Sequence, residues 1–249
     1  MSRRVLVTGG SRGIGAAISR RFAEIGDTVA VNYATRVDAA EALIAELPGS
    51  GHVAVQGDLR DPAQVEAMVD GAAAELGGID VLVNNAGIFF THHITEVTYE
   101  EWQRAWADTI GTNLIGAANA TYCAIRHMRS DGSARIVNVG SRGAFRGEPK
   151  APAYGASKAG IAAFGQSMAK ELGRLGISVA TVAPGFVETE MAADFLAGPE
   201  GAARKAESPF NRVATPEEVA EAVVYLASPK AQWASGAILD LNGASYLRM

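Results

Sequence analysis

Short apolar runs rich in β-branched residues recur along the whole chain. Runs of this length and composition are typical of buried β-strands. They are VLVTG (5–9), TVAVNY (28–33), HVAVQG (52–57), DVLVNN (80–85), RIVNVG (135–140), SVATVA (178–183) and AILDL (237–241). The pattern therefore predicts seven strands.

Between these runs lie longer stretches in which apolar residues recur with the period of an α-helix. They include IGAAISRRFAEIG, AAEALIAEL, PAQVEAMVDGAAAELG and TPEEVAEAVVYLAS, and the last begins with a helix-capping sequence. Near-continuous apolar strands that alternate with helices indicate a parallel sheet with helices on both faces. We therefore predict an α/β, doubly wound fold, with residues 1–249 in a single domain around one seven-stranded sheet.

The composition argues against several classes of protein. A net charge of −5 argues weakly against nucleic-acid binding. No apolar stretch reaches the roughly 18 residues of a membrane span, and the run after Arg3 and Arg4 is too short for a signal peptide. We therefore expect a cytoplasmic protein. Cys123 is the single cysteine, which rules out an intrachain disulfide, and the four histidines form no HExxH motif, so we predict no structural metal.

The sequence TGGSRGIG (8–15) joins the first predicted strand to the first predicted helix. In a doubly wound sheet, ligands bind beyond the carboxyl ends of the strands. Gly9, Gly13 and Gly15 permit a tight turn and a close approach to a pyrophosphate, which the helix N-terminus attracts. A purely structural turn is the alternative, but the strand-loop-helix context favours a dinucleotide site.

The end of the second predicted strand bears on which dinucleotide binds. NAD sites usually carry an acid there for the ribose 2′-hydroxyl, whereas this chain has NYATR (32–36). Arg12 and Arg36 are suited to bind a 2′-phosphate instead. Two solvated surface arginines are the alternative. The pattern favours NADP(H).

Two further strand ends carry candidate cofactor contacts. Asp58 and Leu59 follow the third strand, where they would reach the adenine. NNAG (84–87) follows the fourth strand. Its small Ala86 and Gly87 leave room for a flat ring, and Asn84 is suited to tie backbone segments together. An ordinary turn is the alternative interpretation of NNAG.

YGASK (154–158) places a tyrosine and a lysine four residues apart. On a helix the two side chains share one face, and a cation beside a phenol lowers the pKa of the phenol. Such a pair also arises by chance. Ser141 ends the fifth strand within reach of the same pocket. Asn113 is unexpected in the helical stretch from about 100 to 128, because asparagine is a poor interior helix residue.

Together, these motifs and PGFVETEM (184–191) resemble the short-chain dehydrogenase/reductase family, whose Rossmann-type pattern spans essentially the whole chain. The resemblance implies that Tyr154 is the catalytic acid/base, and that Lys158 lowers its pKa and binds the nicotinamide ribose. It implies that Ser141 holds the substrate carbonyl. Asn113 would bend its helix and hold a water molecule that links Lys158 to solvent.

The resemblance also implies where NADP(H) binds. Within PGFVET, which would cover the nicotinamide, the backbone of Val187 and the hydroxyl of Thr189 would lie near the carboxamide. The expected contacts lie at strand ends and on the YGASK helix. They are Gly9, Ser11, Arg12, Gly13, Ile14, Gly15, Asn32, Tyr33, Arg36, Asp58, Leu59, Asn85, Ala86, Gly87, Tyr154, Lys158, Pro184, Gly185, Val187 and Thr189.

Within the family, the chain is most similar to β-ketoacyl-acyl-carrier-protein reductases, through its glycine loop, VNYA, PGFVETEM and LNGASYL. Two departures bear on docking of an acyl carrier protein. Leu175 stands where a basic residue often precedes Gly-Ile, with Arg174 one place earlier, and NGAS replaces the usual NGG. Five other basic residues would form a different positive surface for an acidic partner or substrate, or are simply solvent-exposed charges. They are Arg126, Arg129, Arg142, Arg146 and Lys150.

Residues 190–213 combine apolar side chains with glycine and proline and would form a mobile lid over the substrate. A surface helical hairpin is the alternative. The apolar residues are Met191, Phe195, Leu196 and Phe210.

The sequence thus favours an oxidoreductase that transfers a hydride from NADPH to a ketone carbonyl, such as that of a β-ketoacyl thioester. An alcohol, polyol or secondary-metabolite dehydrogenase on the same scaffold is the alternative. A non-catalytic regulator is disfavoured, because Ser141, Tyr154 and Lys158 are all present.

We also predict a homotetramer, or at least a dimer. Members of the family pair through helices, and the YGASK helix carries small residues that permit a close approach of two helices. These residues are Ala156, Ala159, Gly160, Ala162, Ala163 and Gly165.

Overall fold

The structure, a computed structural model, describes residues 2–248, apart from the side chains of Met191, Asp194 and Phe195. All seven strands lie in one parallel sheet, which confirms the predicted fold class. The strands are Arg4–Val7 (β1), Thr28–Tyr33 (β2), Val53–Gln56 (β3), Val81–Asn84 (β4), Arg135–Val139 (β5), Ser178–Pro184 (β6) and Ile238–Leu241 (β7). Their order in the sheet is β3-β2-β1-β4-β5-β6-β7.

Helices alternate with the strands. They are Gly13–Glu24 (α1), Val37–Glu46 (α2), Pro62–Leu76 (α3), Tyr99–Ile110 (α4), Ala117–Ile125 (α5), Gly143–Arg146 (α6), Pro152–Leu172 (α7), Glu190–Ala197 (α8), Gly201–Ala206 (α9) and Pro216–Leu226 (α10). Capping signals in the sequence mark several starts. Thr215 and Glu218 form a capping box at α10, and the Asp61 carboxylate accepts hydrogen bonds from the first amides of α3.

The two faces of the sheet carry separate apolar cores. Val5 and Val7 of β1 belong to a cluster that includes residues of α1 and α10, whereas Leu6 belongs to one that includes residues of α3 and α5. Successive strand residues point to opposite faces, and both faces are covered by helices. This is why the strands appear in the sequence as continuous apolar runs rather than as alternating ones.

The order of the strands reverses at β1, which pairs with β2 on one side and with β4 on the other. The connections from β1 and β4 therefore leave in opposite directions and open a crevice at the carboxyl ends of the strands. The loops after β1, β4, β5 and β6 border this crevice.

A π-helical segment, Gly111–Gly116, divides the helical stretch predicted from about 100 to 128. Glycines allow tight packing around it. A Cβ atom on Gly116 would come within 2.5 Å of the Leu59 carbonyl oxygen, and one on Gly160 of α7 would lie 2.7 Å from Leu114 Cδ2. The altered winding falls at Asn113, the residue that is unexpected in a regular helix.

The small residues of α7 serve two different surfaces. Ala162 and Gly165 are buried, and a Cβ atom on Gly165 would lie 2.8 Å from Asn138 Nδ2. These residues therefore pack the helix on its own sheet. Ala156 and Ala163 are exposed. The homotetramer stays a prediction.

None of the helices within residues 2–248 is both long and apolar enough to cross a membrane. In the same part of the chain, no three His, Cys, Asp or Glu side chains are grouped closely enough to hold a metal ion. The cytoplasmic location stays a prediction.

Candidate active site

The loop after β1 forms a backbone cradle at the start of α1. Gly9 and Gly13 adopt positive φ angles of 59° and 52°, which residues with a side chain rarely adopt. A Cβ atom on Gly15 would overlap the carbonyl oxygen of Gly9 and lie 2.6 Å from Asn85 Nδ2. Within the described part of the chain, no side chain caps the first turn of α1. The close backbone and uncapped amides fit a pyrophosphate.

Asn32 at the end of β2 holds this cradle in shape through hydrogen bonds to its backbone. Its Oδ1 accepts a hydrogen bond from the Gly9 amide at 2.9 Å, and its backbone oxygen accepts one from the Gly10 amide at 2.9 Å. Its Nδ2 donates to the Gly57 carbonyl at 3.1 Å. The buried side chain is therefore hydrogen-bonded within the protein and fixes the shape of the loop. A direct contact of Asn32 with the cofactor stays a prediction.

Asn85 and Thr8 join the loops after β1 and β4. Asn85 Nδ2 donates to the carbonyl oxygens of Thr8 and Gly9, each at 3.0 Å. Thr8 Oγ1 accepts from the amides of Asn85 and Ala86 at 3.0 and 3.1 Å. Asn84, predicted to tie backbone segments, instead bonds the Thr121 and Asn138 side chains. The prediction named the wrong asparagine and missed Thr8, although Thr8 opens the glycine motif.

The first turn of α2, which follows β2, carries an acid that the sequence-based prediction did not consider. Arg36 donates to the Asp38 carboxylate through Nε at 2.9 Å and Nη2 at 2.8 Å. These hydrogen bonds lower the pKa of Asp38 to about 2. Arg12 lies 4.0 Å from Glu190, and the charge of Glu190 also raises the pKa of Arg36. Both predicted phosphate ligands are thus solvent-exposed and paired with carboxylates.

The other residues predicted to contact the adenosine part of the cofactor differ in how far their side chains are already bonded or buried. The Asp58 carboxylate accepts from Arg60 through Nε at 3.1 Å and Nη2 at 2.7 Å, and these bonds lower the pKa of Asp58. Leu59 is buried in the core with α3 and α5, so its side chain points away from a surface ligand. Ser11, Ile14 and Tyr33 are each half-buried around the cradle.

Lys158, Asn113 and Gly87 meet at the end of β5. Lys158 Nζ donates to the Val139 carbonyl at 2.8 Å. A Cβ atom on Gly87 would lie 3.4 Å from both Asn113 Oδ1 and Lys158 Nζ. The absence of a side chain at Gly87 therefore keeps this corner open. Asn113 Nδ2 also donates to Ser157 Oγ at 3.1 Å, a contact that the sequence analysis did not identify although Ser157 lies within YGASK.

Tyr154 and Ser141 complete the predicted catalytic set at the same edge of the sheet. The Tyr154 ring lies edge-on to Phe89, with centroids 5.0 Å apart, and Lys158 Nζ lies 5.7 Å from the centroid of the Tyr154 ring. Ser141 Oγ accepts a hydrogen bond from the Gly143 amide at 3.0 Å. All four predicted catalytic residues thus come from neighbouring elements, the π-helical segment, the end of β5 and α7.

Burial governs the ionisation of Tyr154 and Lys158. Burial raises the pKa of Tyr154 above its ordinary value, a hydrogen bond with Ser141 opposes this, and the charge of Glu148 adds to it. Burial lowers the pKa of Lys158 from 10.5 to about 8. The pKa of Tyr154 therefore lies above its ordinary value, not below it as the YGASK spacing suggested, because desolvation of the phenol is the largest effect. That Lys158 favours the phenolate stays a prediction.

PGFVET leaves the end of β6 and folds back toward the glycine loop. The Gly185 amide donates to the Leu241 carbonyl at 2.9 Å, and the Arg142 amide donates to the Pro184 carbonyl at 2.8 Å. Val187 forms a parallel bridge with Ala214. A Cβ atom on Gly13 would lie 3.5 Å from Thr189 Cγ2. The segment predicted to cover the nicotinamide therefore faces the cradle for the pyrophosphate.

The five basic residues considered as a rim do not form one surface. Arg126 pairs with Glu66 and Asp70 beside α3, whereas Arg129 pairs with Asp80 at the start of β4. Arg142 is buried and pairs with Glu207. Arg146 pairs with Glu148 and Glu207, and Lys150 pairs with Glu200 at 3.0 Å. Each charge is therefore compensated locally.

The predicted lid consists of α8, α9 and the loop up to Val213. Its far end is fixed by the Arg142–Glu207 ion pair and by Ser208 Oγ, which donates to the Gly243 carbonyl at 2.6 Å. Phe210 is 72% exposed, so it presents an apolar ring to solvent or to a ligand. The side chains of Met191 and Phe195 lie outside the described residues.

Comparison with known proteins agrees with this architecture. The sequence model of a family described as short chain dehydrogenase matches residues 3–199. The chain is 36% identical to the 3-oxoacyl-[acyl-carrier-protein] reductase FabG of Staphylococcus aureus over 249 residues, covering 99% of each chain. It is 39% identical to the acetoacetyl-CoA reductase of Rhizobium meliloti, again over 99% of each chain. A short chain dehydrogenase from Burkholderia cenocepacia, crystallised with NADP, matches with a TM-score of 0.89 at 35% identity, covering 98% of this chain and 97% of that chain.

The buried ammonium of Lys158 leads to a prediction about stability. Because its pKa falls from 10.5 to about 8 on folding, the unfolded chain binds more protons between these values, and the free energy of unfolding rises with pH. Between pH 7 and pH 9.5, the stability of the wild type relative to Lys158→Met should increase by about 2 kcal/mol. Urea denaturation of both proteins at each pH measures the difference. A difference that does not change with pH would show that burial does not control this ionisation.

Proposed function

We propose that this chain, which belongs to the short-chain dehydrogenase family, reduces a ketone carbonyl with NADPH as the hydride donor. One observation carries the proposal. Tyr154, Lys158, Asn113 and Ser141 lie together beside a backbone cradle that fits a pyrophosphate. A nicotinamide cofactor in this cradle would supply the hydride, and the side chains would supply the proton and hold the substrate.

The cofactor would be held mainly by backbone groups. Gly9, Gly13 and Gly15 would leave room for the pyrophosphate to lie against the first turn of α1. Ala86, Gly87 and the backbone of PGFVET would border the nicotinamide. NADP(H) is supported by the Burkholderia relative, which was solved with NADP. A 2′-phosphate would compete with Asp38 and Glu190 for Arg36 and Arg12, and both exposed ion pairs are weak enough to be exchanged.

Tyr154 would act as the acid. Because burial raises its pKa, the phenol keeps its proton at neutral pH, which is the form that reduction needs. Ser141 would donate a hydrogen bond to the substrate oxygen. Lys158 has a pKa of about 8 and is therefore mainly cationic at pH 7, so its charge would stabilise the phenolate that remains after proton transfer.

Asn113 would connect this pair to the rest of the site. It bonds both backbone groups of Ile88 and the Ser157 hydroxyl, and it lies beside Lys158 across Gly87. A water molecule held by Asn113 could return a proton to Lys158 after each turnover.

The substrate is proposed as a β-ketoacyl thioester, on the basis of relatives named as acyl-carrier-protein and coenzyme A thioester reductases. A free ketone is the second candidate, and the compensated charges favour it. Arg142, Arg146 and Lys150 are paired with glutamates, and Arg174 is paired with Glu171. An acidic carrier protein would therefore meet little net positive charge here. We keep the cytoplasm and a homotetramer as the proposed location and assembly.

Replacing the proposed acid tests the mechanism. Tyr154→Phe removes the phenol and leaves the ring, so turnover of a ketone or β-ketoacyl thioester should fall by at least about 10²-fold. NADPH binding, followed by fluorescence titration, should remain. Tyr225→Phe alters an exposed tyrosine of α10 and should leave turnover unchanged. Near-normal turnover by Tyr154→Phe would show that another group donates the proton.

Arg36 should set the preference between the two dinucleotides. Arg36→Asp replaces a proposed phosphate ligand by a repelling charge, so the ratio of kcat/KM for NADPH to that for NADH should fall at least about tenfold, or about 1.4 kcal/mol. Arg174→Asp changes the charge by the same amount at the opposite end of the sheet and should leave the ratio unchanged. If both variants kept the ratio of the wild type, the 2′-phosphate would have to bind elsewhere.

A further inference from the structure

The segment from Ile88 to His92 crosses the start of α7 and is fixed at its first end by Asn113. The Ile88 amide donates to Asn113 Oδ1 at 2.8 Å, and Asn113 Nδ2 donates to the Ile88 carbonyl at 3.0 Å. One side chain thus satisfies both backbone groups of Ile88. This pairing sets where the segment leaves the crevice.

The second end is fixed by His92, whose residue is 2% exposed. Its backbone amide donates to the Lys150 carbonyl at 2.8 Å. Its Nε2 lies 3.3 Å from the Ala153 amide and its Nδ1 lies 2.9 Å from the Phe90 carbonyl. An amide N–H only donates, so Nε2 is the acceptor, and the proton of the neutral ring is on Nδ1. Solvent has almost no access to replace either hydrogen bond.

The bond to Ala153 satisfies an amide in the first turn of α7. The N-cap residue, Ala151, has no side chain that could accept it. His92 therefore does from a different loop what a capping side chain does within a helix. Tyr154 follows Ala153 directly and belongs to this same turn.

Phe89 lies between the two anchors and contacts Tyr154. The two rings meet edge-on, at 75° and 5.0 Å between centroids. The segment that carries Phe89 and the turn that carries Tyr154 are both bonded to the His92 ring. A shift of this ring would move the phenol relative to Phe89 and to the remaining catalytic groups.

We infer that His92 is a positioning residue, which caps α7 from the neighbouring loop and thereby fixes Tyr154 for proton transfer. The inference rests on the proposed role of Tyr154 as the acid. Within the described residues, the hydrogen bonds and the ring contact of His92 go to Phe90, Lys150, Ala153 and Trp102, and none of these belongs to the proposed cofactor cradle. Its effect should therefore appear in the rate of the chemical step and not in the binding of the cofactor.

Three substitutions of His92 distinguish loss of the hydrogen bond to Ala153 from loss of the volume of the imidazole ring. The amide oxygen of His92→Gln reaches as far as Nε2 and retains an acceptor for Ala153. His92→Asn reaches only as far as Nδ1, and His92→Leu has no acceptor. His93→Leu is the matched control, because His93 is adjacent and less buried, and its Nδ1 lies 3.8 Å from the Glu96 carboxylate, beyond hydrogen-bond distance.

The first test measures the affinity for NADPH and the turnover of a ketone that the wild type reduces with NADPH. For His92→Leu and His92→Asn, kcat should fall at least about tenfold, as expected for a misplaced catalytic group, while the Kd of NADPH stays unchanged. His92→Gln and His93→Leu should keep the kcat of the wild type. The inference would be overturned if Gln were as slow as Leu, if Leu kept full activity, or if NADPH affinity fell in parallel with kcat.

Amide hydrogen exchange at Ala153, followed by NMR, tests the cap without any substrate. Exchange should be at least about tenfold faster in the Asn and Leu variants and as slow as in the wild type in the Gln variant. Unchanged exchange in Asn and Leu would overturn the inference. If the wild type reduced no ketone or thioester, the proposed function would fail, and the exchange rates would still decide whether His92 caps the helix. If His92→Leu does not fold, Asn and Gln provide the same comparison.

Discussion

The close contact between the loops after β1 and β4 is the constraint on which the candidate site depends. A Cβ atom on Gly9 would lie 2.9 Å from Ala86 Cα, so the two backbones touch with no side chain between them. Buried backbone groups at such a contact need partners, and Thr8 and Asn85 provide them. The same contact shapes the cradle on one side and, through Gly87, leaves space for Asn113 and Lys158 on the other.

The features predicted correctly from sequence depend on local pattern. Seven apolar runs predicted the sheet, and the glycine loop and one capping sequence predicted the starts of α1 and α10. Asp38 was missed although it lies two positions from Arg36, but other missed features depend on contacts between distant segments. The bond between His92 and Ala153 joins residues 61 positions apart, and neither residue type indicates it. The basic residues considered as a rim are likewise neutralised by acids that are distant in sequence, such as Glu207, which pairs with Arg142.

The pKa values of Tyr154 and Lys158 also could not be predicted from the spacing of the two residues in the sequence. Spacing alone placed Tyr154 and Lys158 together and suggested that the cation would dominate the phenol. In the folded chain Lys158 is buried and Tyr154 is half-buried. Desolvation favours the neutral form of each group, so it raises the pKa of Tyr154 and lowers that of Lys158. A neutral phenol suits an acid, and a lysine with a pKa of about 8 still carries charge at pH 7. Both ionisation states therefore suit reduction at neutral pH.

The titration of Tyr154 distinguishes control of the phenol by burial from control by Lys158. NMR spectra of the protein labelled with ¹³C at tyrosine Cζ identify the Tyr154 signal as the one that Tyr154→Phe removes. Over a range in which circular dichroism shows the fold to be intact, we expect this signal to shift only above pH 10.0, the ordinary pKa of tyrosine. A transition between pH 6 and pH 8 would instead show that Lys158, and not burial, controls the phenol.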